Sequence, residues 1–316
     1  MKTRIRSHIA ALTVGWTILA FATSTLAQTQ FPTSYTFSDN VAYVSGGTSR
    51  QVMDIYRPTG ATSATPVLLF VHGGGWNSGS AESYMDLWTG LGQGSFAIAT
   101  MNYRYNSVVE PLAAQVDDVK AAIRFIKANA GTYNIDATRF GVMGQSAGGH
   151  LAGIAALSSD IAYFGSSSDL ANTQNTSVST AVQAVVTWAM PPIPPSGSSS
   201  LSLATYISSG DPSFRMFHSV NDELVNISFA RAFRDSMVSG GVGATLTELT
   251  GGHFADDATR NANAPTIVSY LNQQFAAVPE PGTMALLGAT AAAGWAVRRL
   301  RMGAQRRSEG QSSITR

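Results

Sequence analysis

Cysteine is absent from the 316 residues, and charged residues are sparse. Without a thiol, the chain can form no disulfide, carry no cysteine nucleophile and offer no thiolate ligand to a metal. Asp, Glu, Lys and Arg make up 12% of the sequence, about half of the usual share. Positive residues cluster at both ends, which leaves the segment between them net acidic. An acidic body argues against a nucleic-acid partner.

The sequence also lacks an apolar run long enough to span a bilayer comfortably. The first of two shorter runs, residues 9–21, follows the basic residues Lys2, Arg4 and Arg6 and precedes a small-residue ending at Ala27. This order of features predicts a secretory signal peptide over residues 1–27. An N-terminal membrane anchor is the alternative.

The second short apolar run, residues 284–297, lies between a Pro-Glu-Pro motif that begins at Pro279 and an arginine cluster that begins at Arg298. This arrangement resembles the PEP-CTERM sorting tail of Gram-negative bacteria that produce exopolysaccharide. The resemblance implies processing by an exosortase-type enzyme, transient membrane association through residues 278–302, and a final place at the cell surface, in the matrix or in the medium. A plain C-terminal anchor is the alternative, and residues 303–316 form a basic polar tail.

The segment over residues 28–277 alternates between strand-like and helix-like patterns. Residues 66–71 form a continuous apolar run, typical of a strand buried on both faces, and residues 113–130 place apolar side chains at helical spacing. Further strands are predicted at residues 41–44, 51–56, 95–101, 140–143, 181–188, 213–218 and 244–249, and further helices at 151–157 and 265–275. The alternation predicts one α/β domain with a mostly parallel sheet and helices on both faces.

A Gly-x-Ser-x-Gly motif centred on Ser146 lies between a predicted strand and a predicted helix. The glycines permit a sharp turn, with the serine hydroxyl exposed at its apex and the Ala147 amide directed into the same space. The pentapeptide alone is a weak indication, but the strand and helix around it favour a catalytic nucleophile.

Three consecutive glycines follow the strand at residues 66–71, in His72-Gly73-Gly74-Gly75-Trp76. Such a backbone can direct its amides toward a ligand, so Gly74 and Gly75 are predicted to form an oxyanion hole together with Ala147. His72 is expected to brace this loop by hydrogen bonding, and Trp76 to contact the substrate.

With HGGGWNSGS, MNYRY and the segment around GQSAGGHLAG, the chain resembles the α/β-hydrolase esterases that carry an HGGGW motif. These are hormone-sensitive-lipase-like enzymes and, more closely, small acetyl-xylan and feruloyl esterase-like carboxylesterases. The similarity extends from about residue 52 to residue 275, with Gln145 where the family usually has glutamate. The resemblance implies an α/β-hydrolase fold, and the short segment around residues 191–200 predicts a small cap and an open pocket.

In this fold the triad follows the order serine, acid, histidine. Of the five histidines, only His253 lies well beyond an acid candidate, so it is the predicted base. Asp222 follows the strand at residues 213–218 and falls where the family has its acid, although Ser219 and Asn226 depart from the family pattern. Glu223 is the alternative acid.

Together these residues predict a secreted serine carboxylic-ester hydrolase that works by two-step acyl transfer, without a metal or an organic cofactor. Short-chain acyl esters are the expected substrates, and acetylated polysaccharide is a natural target that the family resemblance suggests. The alternative is a catalytically silent surface or matrix protein that uses the hydrolase fold as a binding module.

Overall fold

The computed structural model describes residues 34–83, 91, 96–107, 111–194 and 199–276. The strands are β1 (Tyr35–Ala42), β2 (Val52–Pro58), β3 (Thr65–Val71), β4 (Ala97–Met101), β5 (Ile135–Gln145), β6 (Ala184–Trp188), β7 (Ser213–Ser219) and β8 (Ala244–Leu249). Within the described residues they form one sheet in the order β1-β2-β4-β3-β5-β6-β7-β8. The pairs β1–β2 and β2–β4 are antiparallel, and the other neighbours are parallel. The prediction of a mostly parallel sheet is confirmed.

Helices cover both faces of this sheet. They are α1 (Leu112–Ala128), α2 (Ala147–Leu157), the short α3 (Leu170–Thr173), α4 (Ile227–Ser239) and α5 (Asp257–Ala276). Alternate residues of β3 point to opposite faces. Leu69 packs in the cluster that includes α1, α2 and α4, whereas Leu68 packs with Leu271 and Phe275 of α5. The predicted layers on both faces are therefore confirmed.

Charged residues of α1 are buried as well as its apolar ones, because they bind neighbouring segments. Asp118 forms an ion pair with Arg104 at 2.8 Å, and Arg104 also contacts Asp169 at 2.7 Å. Asp117 accepts hydrogen bonds from the backbone amides of Phe164 and Gly165, both at 2.7 Å. These contacts attach the polar segment after α2 to the body of the domain.

Several element boundaries differ from the sequence prediction. β1 begins at Tyr35 and ends at Ala42, and Tyr43 lies beyond it as a buried core residue, so the strand predicted at residues 41–44 was misplaced. α2 begins at Ala147 and not at residue 151. Glycine has a low helix propensity, but close packing holds Gly148 and Gly149 in the first turn of the helix.

The C-terminal helix α5 also begins earlier than predicted, at Asp257, with Pro265 inside it. The sequence prediction of a helix over residues 265–275 therefore misses its first two turns. The actual start is set by Asp256, whose carboxylate accepts the amide of Thr259 at 2.7 Å as an N-cap.

The chain divides into two compact units, Met1–Phe275 and Ala276–Arg316. The predicted signal peptide at residues 1–27, the sorting segment at 278–302 and the tail at 303–316 all lie outside the described residues. Among the helices that are described, none combines the length and the apolar character needed to cross a membrane. The segment between β6 and β7 contains two short 3-10 turns, Ser199–Leu201 and Leu203–Tyr206, where the small cap was expected.

Candidate active site

Ser146 stands at a sharp turn between β5, which ends at Gln145, and α2, which begins at Ala147. Its backbone has φ 53° and ψ −124°, a conformation that a residue with a side chain rarely adopts. A Cβ on Gly144 would lie 2.4 Å from the Gly148 carbonyl oxygen, and one on Gly148 would lie 2.1 Å from that of Val71. Only glycine fits at either position, so the predicted strained turn is present.

Ser146, His253 and Asp222 form a continuous chain of hydrogen bonds. The distance from His253 Nε2 to Ser146 Oγ is 2.9 Å, and that from His253 Nδ1 to Asp222 Oδ2 is 2.8 Å. A carboxylate only accepts, so Nδ1 carries the imidazole proton and Nε2 is the acceptor for the serine hydroxyl. This arrangement is the one in which a histidine can remove the serine proton.

The carboxylate of Asp222 is fully buried and held by several donors. Its Oδ1 accepts the backbone amides of Leu224 at 2.9 Å and Val225 at 2.7 Å. His218 Nε2 lies 3.2 Å from Oδ2 and 2.7 Å from the Val225 carbonyl oxygen, so this nitrogen is the donor. Burial lowers the pKa of His218, which favours the neutral form. The sequence analysis did not identify His218 as part of the site. Its position at the C-terminal end of a predicted strand could have indicated it, because ligand sites of parallel sheets lie at that end.

Glu223, the alternative acid, is not placed at the imidazole. Its Oε2 accepts the backbone amide of His253 at 3.0 Å. The two adjacent carboxylates therefore contact the same histidine at different points, Asp222 at the ring and Glu223 at the main chain.

The glycine loop after β3 lines the same cavity as Ser146. Gly74 and Gly75 have φ values of 119° and 59°, in the region that favours glycine. The Gly74 carbonyl is turned back into the loop, where it accepts the amides of Asn77 at 3.2 Å and Ser78 at 3.0 Å. Ala147 is the first residue of α2, where a backbone amide has no partner within the helix. The structure thus places Gly74 and Gly75 on the cavity of Ser146, and Ala147 follows Ser146 directly in the chain.

His72 is buried beneath this loop. Its Nδ1 donates to the Gly73 carbonyl oxygen at 2.6 Å, its Nε2 lies 3.3 Å from Arg50 Nη2, and its ring stacks on Tyr103 at 4.2 Å between centroids. Burial lowers the pKa of His72 to about 4, so the ring is neutral at physiological pH. These contacts agree with the expected bracing role.

Trp76 lines the cavity but is only 7% exposed. Its indole N–H donates to His150 Nδ1 at 3.3 Å, and His150 Nε2 donates to the Leu201 carbonyl oxygen at 2.8 Å. His150 therefore joins the glycine loop to the segment between β6 and β7. Sequence reasoning missed this residue. Its position one helical turn after Ser146 could have indicated that it lies on the same side of α2 as the site.

The cavity at Ser146 has a volume of about 660 Å³. Apart from Ser146 and His253, its described walls are mostly apolar: Pro191, Pro192, Ile193, Pro194, Leu224, Val225, Phe229 and Phe254. Among the residues that the structure describes, no group of three or more His, Asp or Glu side chains is arranged to hold a metal ion.

Residues 53–192 match the BD-FAE family, and residues 277–301 match the PEP-CTERM protein-sorting motif. This part of the chain is therefore similar to the BD-FAE family. The match includes the glycine loop and Ser146 but ends before Asp222 and His253. The second match is to a protein-sorting motif, which indicates export.

Curated proteins similar to this chain include esterases. A probable isoprenylcysteine alpha-carbonyl methylesterase of Oryza sativa subsp. japonica is 34% identical over 37% of this chain and 28% of its own length. Carboxylesterase NlhH of Mycobacterium tuberculosis is 32% identical over 32% of each chain. The probable carboxylic ester hydrolase LipM of the same organism is 28% identical over 64% of this chain and 52% of its own. The chain thus spans about a third, or about half, of the length of these relatives.

Solved structures with the same architecture extend beyond the BD-FAE match. A truncated carbohydrate esterase from gut microbiota has a TM-score of 0.69 and 23% identity, covering 77% of this chain and 98% of that one. The apo form of Thermogutta terrifontis esterase 2 has a TM-score of 0.63 and 20% identity, covering 76% and 95%. These similarities show that the domain has the α/β-hydrolase fold.

Proposed function

We propose that this chain is an exported serine carboxylic-ester hydrolase in which Ser146 is the nucleophile, His253 the base and Asp222 the acid. The observation that carries the proposal is the hydrogen-bond chain of 2.9 and 2.8 Å that joins the three side chains. Two further observations support it: Ser146 and His253 line the same cavity as the glycine loop, and the curated relatives reported above are esterases.

In the first half of the reaction, His253 Nε2 takes the proton from Ser146 Oγ while Oγ attacks the ester carbonyl carbon. Asp222, which accepts from Nδ1, stabilises the imidazolium that forms. His253 then gives the proton to the leaving alcohol, and the acyl group stays on Ser146. In the second half, a water molecule repeats these steps and releases the acid.

The amides of Gly74, Gly75 and Ala147 are proposed to bind the carbonyl oxygen as it becomes negatively charged. Each donor of this kind stabilises the transition state by about 3 kcal/mol. Ala147 N–H also lies at the positive end of the α2 dipole, which favours the same charge.

For the substrate, we propose short-chain acyl esters, from acetyl to butyryl, with acetylated polysaccharide as a candidate natural target. The carbohydrate esterase among the structural neighbours and the sorting tail support the carbohydrate candidate. A cavity of about 660 Å³ with apolar walls has room for a longer chain as well, so a chain-length series decides the acyl preference.

The first prediction is that Ser146→Ala lowers kcat by about 10⁴-fold or more without changing the fold, because it removes the nucleophile. The measurement is hydrolysis of p-nitrophenyl esters from acetyl to dodecanoyl, beside acetylated polysaccharide, with thermal unfolding as the check on folding. Ser228→Ala is a matched control, since Ser228 is exposed at the start of α4 and outside the triad.

Wild-type activity in the Ser146→Ala variant would contradict the mechanism. A wild type that hydrolyses none of these esters would favour the silent binding module. A rate that rises steadily beyond octanoyl would replace the short-chain proposal with a lipase.

A further inference from the structure

The loop that carries His253 has a backbone with little conformational restriction of its own. It follows β8, which ends at Leu249, and passes through Gly251 and Gly252 before His253. Gly251 has a φ of 112°, a conformation open to glycine and to few other residues. A loop with two successive glycines needs contacts from outside to hold one conformation.

Glu223 supplies such a contact from a different loop, the one that follows β7. Its Oε2 accepts the backbone amide of His253 at 3.0 Å. The approach is so close that a Cβ on Gly252 would lie 2.6 Å from the same oxygen. A carboxylate that accepts from an N–H forms a charge-assisted hydrogen bond, which is stronger than a neutral one.

We propose that Glu223 is a positioning residue that holds the main chain of His253 while Asp222 holds its ring. The inference rests on the proposed function, because it assigns a partner to the catalytic histidine. With its backbone fixed at one end and Nδ1 fixed at the other, the imidazole keeps Nε2 within reach of Ser146 Oγ.

The loop after β7 presents the two adjacent carboxylates in different directions. Asp222 Oδ1 accepts the amides of Leu224 and Val225, so this side chain folds back over its own loop and into the buried site. Glu223 has an exposed position and is one methylene longer, and it reaches across to the neighbouring loop. The role differs from that of an alternative acid, since Glu223 contacts the amide and not the imidazole.

Charges around His253 come from each loop packed against it. Asp222 and Glu223 are the carboxylates, His218 is the neighbouring imidazole, and Arg260 lines a small cavity together with His253. Glu223 therefore supplies a second negative charge beside the histidine that becomes an imidazolium in the proposed reaction.

The test compares Glu223→Ala, which removes the acceptor, with Glu223→Gln, which keeps an amide oxygen as acceptor and removes the charge. Hydrogen–deuterium exchange of the His253 amide reads the contact directly and does not require activity. We expect exchange to be about tenfold faster in Glu223→Ala and less than threefold faster in Glu223→Gln.

Kinetics with p-nitrophenyl acetate give the second readout. We expect kcat to fall about tenfold in Glu223→Ala, with KM nearly unchanged, and to recover to within about threefold of wild type in Glu223→Gln. Glu248→Ala is the matched control, because this exposed carboxylate lies on β8 before the same loop but contacts Arg231, at 2.7 Å. It should leave exchange and kcat as in the wild type.

Unchanged exchange at His253 in Glu223→Ala would overturn the proposed contact. An active wild type whose kcat is unaffected by Glu223→Ala would overturn the positioning role and leave the proposed esterase function intact. A wild type without esterase activity would overturn both.

Discussion

At the scale of single residues, the histidines of the site differ in the partners that surround them. His253 lies between a hydroxyl and a carboxylate, as acid–base chemistry requires. His72 and His150 are buried, and burial lowers the pKa of each to about 4. Each of these two uses both ring nitrogens in contacts within the domain. We infer that they support the site in the neutral form and take no proton during the reaction.

This burial predicts a pH-dependent stability. The pKa of His150 is about 4 in the folded chain and about 6.5 when unfolded, so between these values the unfolded state binds more protons. The stabilisation is fully present above pH 6.5 and is lost as pH falls toward 4, at up to about 1.4 kcal/mol per pH unit for one histidine.

His150→Gln should therefore flatten the fall in the free energy of unfolding between pH 6.5 and pH 4.5. Urea unfolding at several pH values measures this slope in wild type and variant. Glutamine can still donate to Leu201 and accept from Trp76, and the comparison at pH 8, where histidine is neutral in both states, serves as the control. Equal slopes in the two proteins would contradict the conclusion that burial lowers the pKa of His150.

At the scale of elements, helix α2 packs against β3 so closely that its first turn must be made of small residues. A Cβ on Gly148 would lie 2.1 Å from the Val71 carbonyl oxygen and 2.3 Å from that of His72. Val71 is the last residue of β3, and His72 begins the glycine loop. The same contact therefore sets the distance between the proposed nucleophile and the proposed oxyanion hole.

Gly148→Ala should destabilise the domain by about 3 kcal/mol and reduce esterase activity, because backbone atoms must move to admit the methyl group. Gly131→Ala is the control, since a Cβ there meets nothing within 4 Å, and it should change stability by less than about 0.5 kcal/mol. Urea unfolding and p-nitrophenyl acetate hydrolysis measure both effects. A Gly148→Ala variant as stable as the control would show that α2 can shift away from β3.

At the scale of the whole molecule, the hydrolase domain lies between two segments that sequence analysis assigns to export. The sorting motif at residues 277–301 indicates export, while the signal peptide at residues 1–27 remains a proposal. From sequence alone, the two prolines of Pro-Glu-Pro disfavour helix just before the apolar run, and the proposed processing enzyme is expected to act on this segment. The arginine cluster from Arg298 is expected to stay on the cytoplasmic side until cleavage.

The mature protein is therefore expected to lack both ends, beginning near Gln28 and ending close to Pro279. Intact-mass measurement on protein from the native host tests this, and the same measurement on protein from a host without an exosortase is the control. A mature chain that retains Arg301 would support the membrane-anchor alternative for the C-terminal segment.

The sequence by itself determined the layers of the domain and most of the residues placed in the site. Apolar runs and helical spacing predicted the parallel sheet, because a strand buried on both faces must be continuously apolar. Gly-x-Ser-x-Gly and His-Gly-Gly-Gly-Trp predicted the turn and the glycine loop, since only glycine permits those backbones. These features depend on local sequence, which is why they were accessible without coordinates.

Only the tertiary structure decided how the loops after β7 and β8 meet. Asp222 and Glu223 are adjacent carboxylates, and the local sequence does not indicate which one contacts the imidazole of His253 and which contacts its backbone amide. His150 likewise contacts Leu201, which is distant in the sequence. His218, at the end of β7, contacts Asp222 in the loop that follows. The helix start at Ala147 was missed for the same reason, because close packing outweighed the low helix propensity of glycine. The start at Asp257 was missed although its N-cap, Asp256, is a local signal.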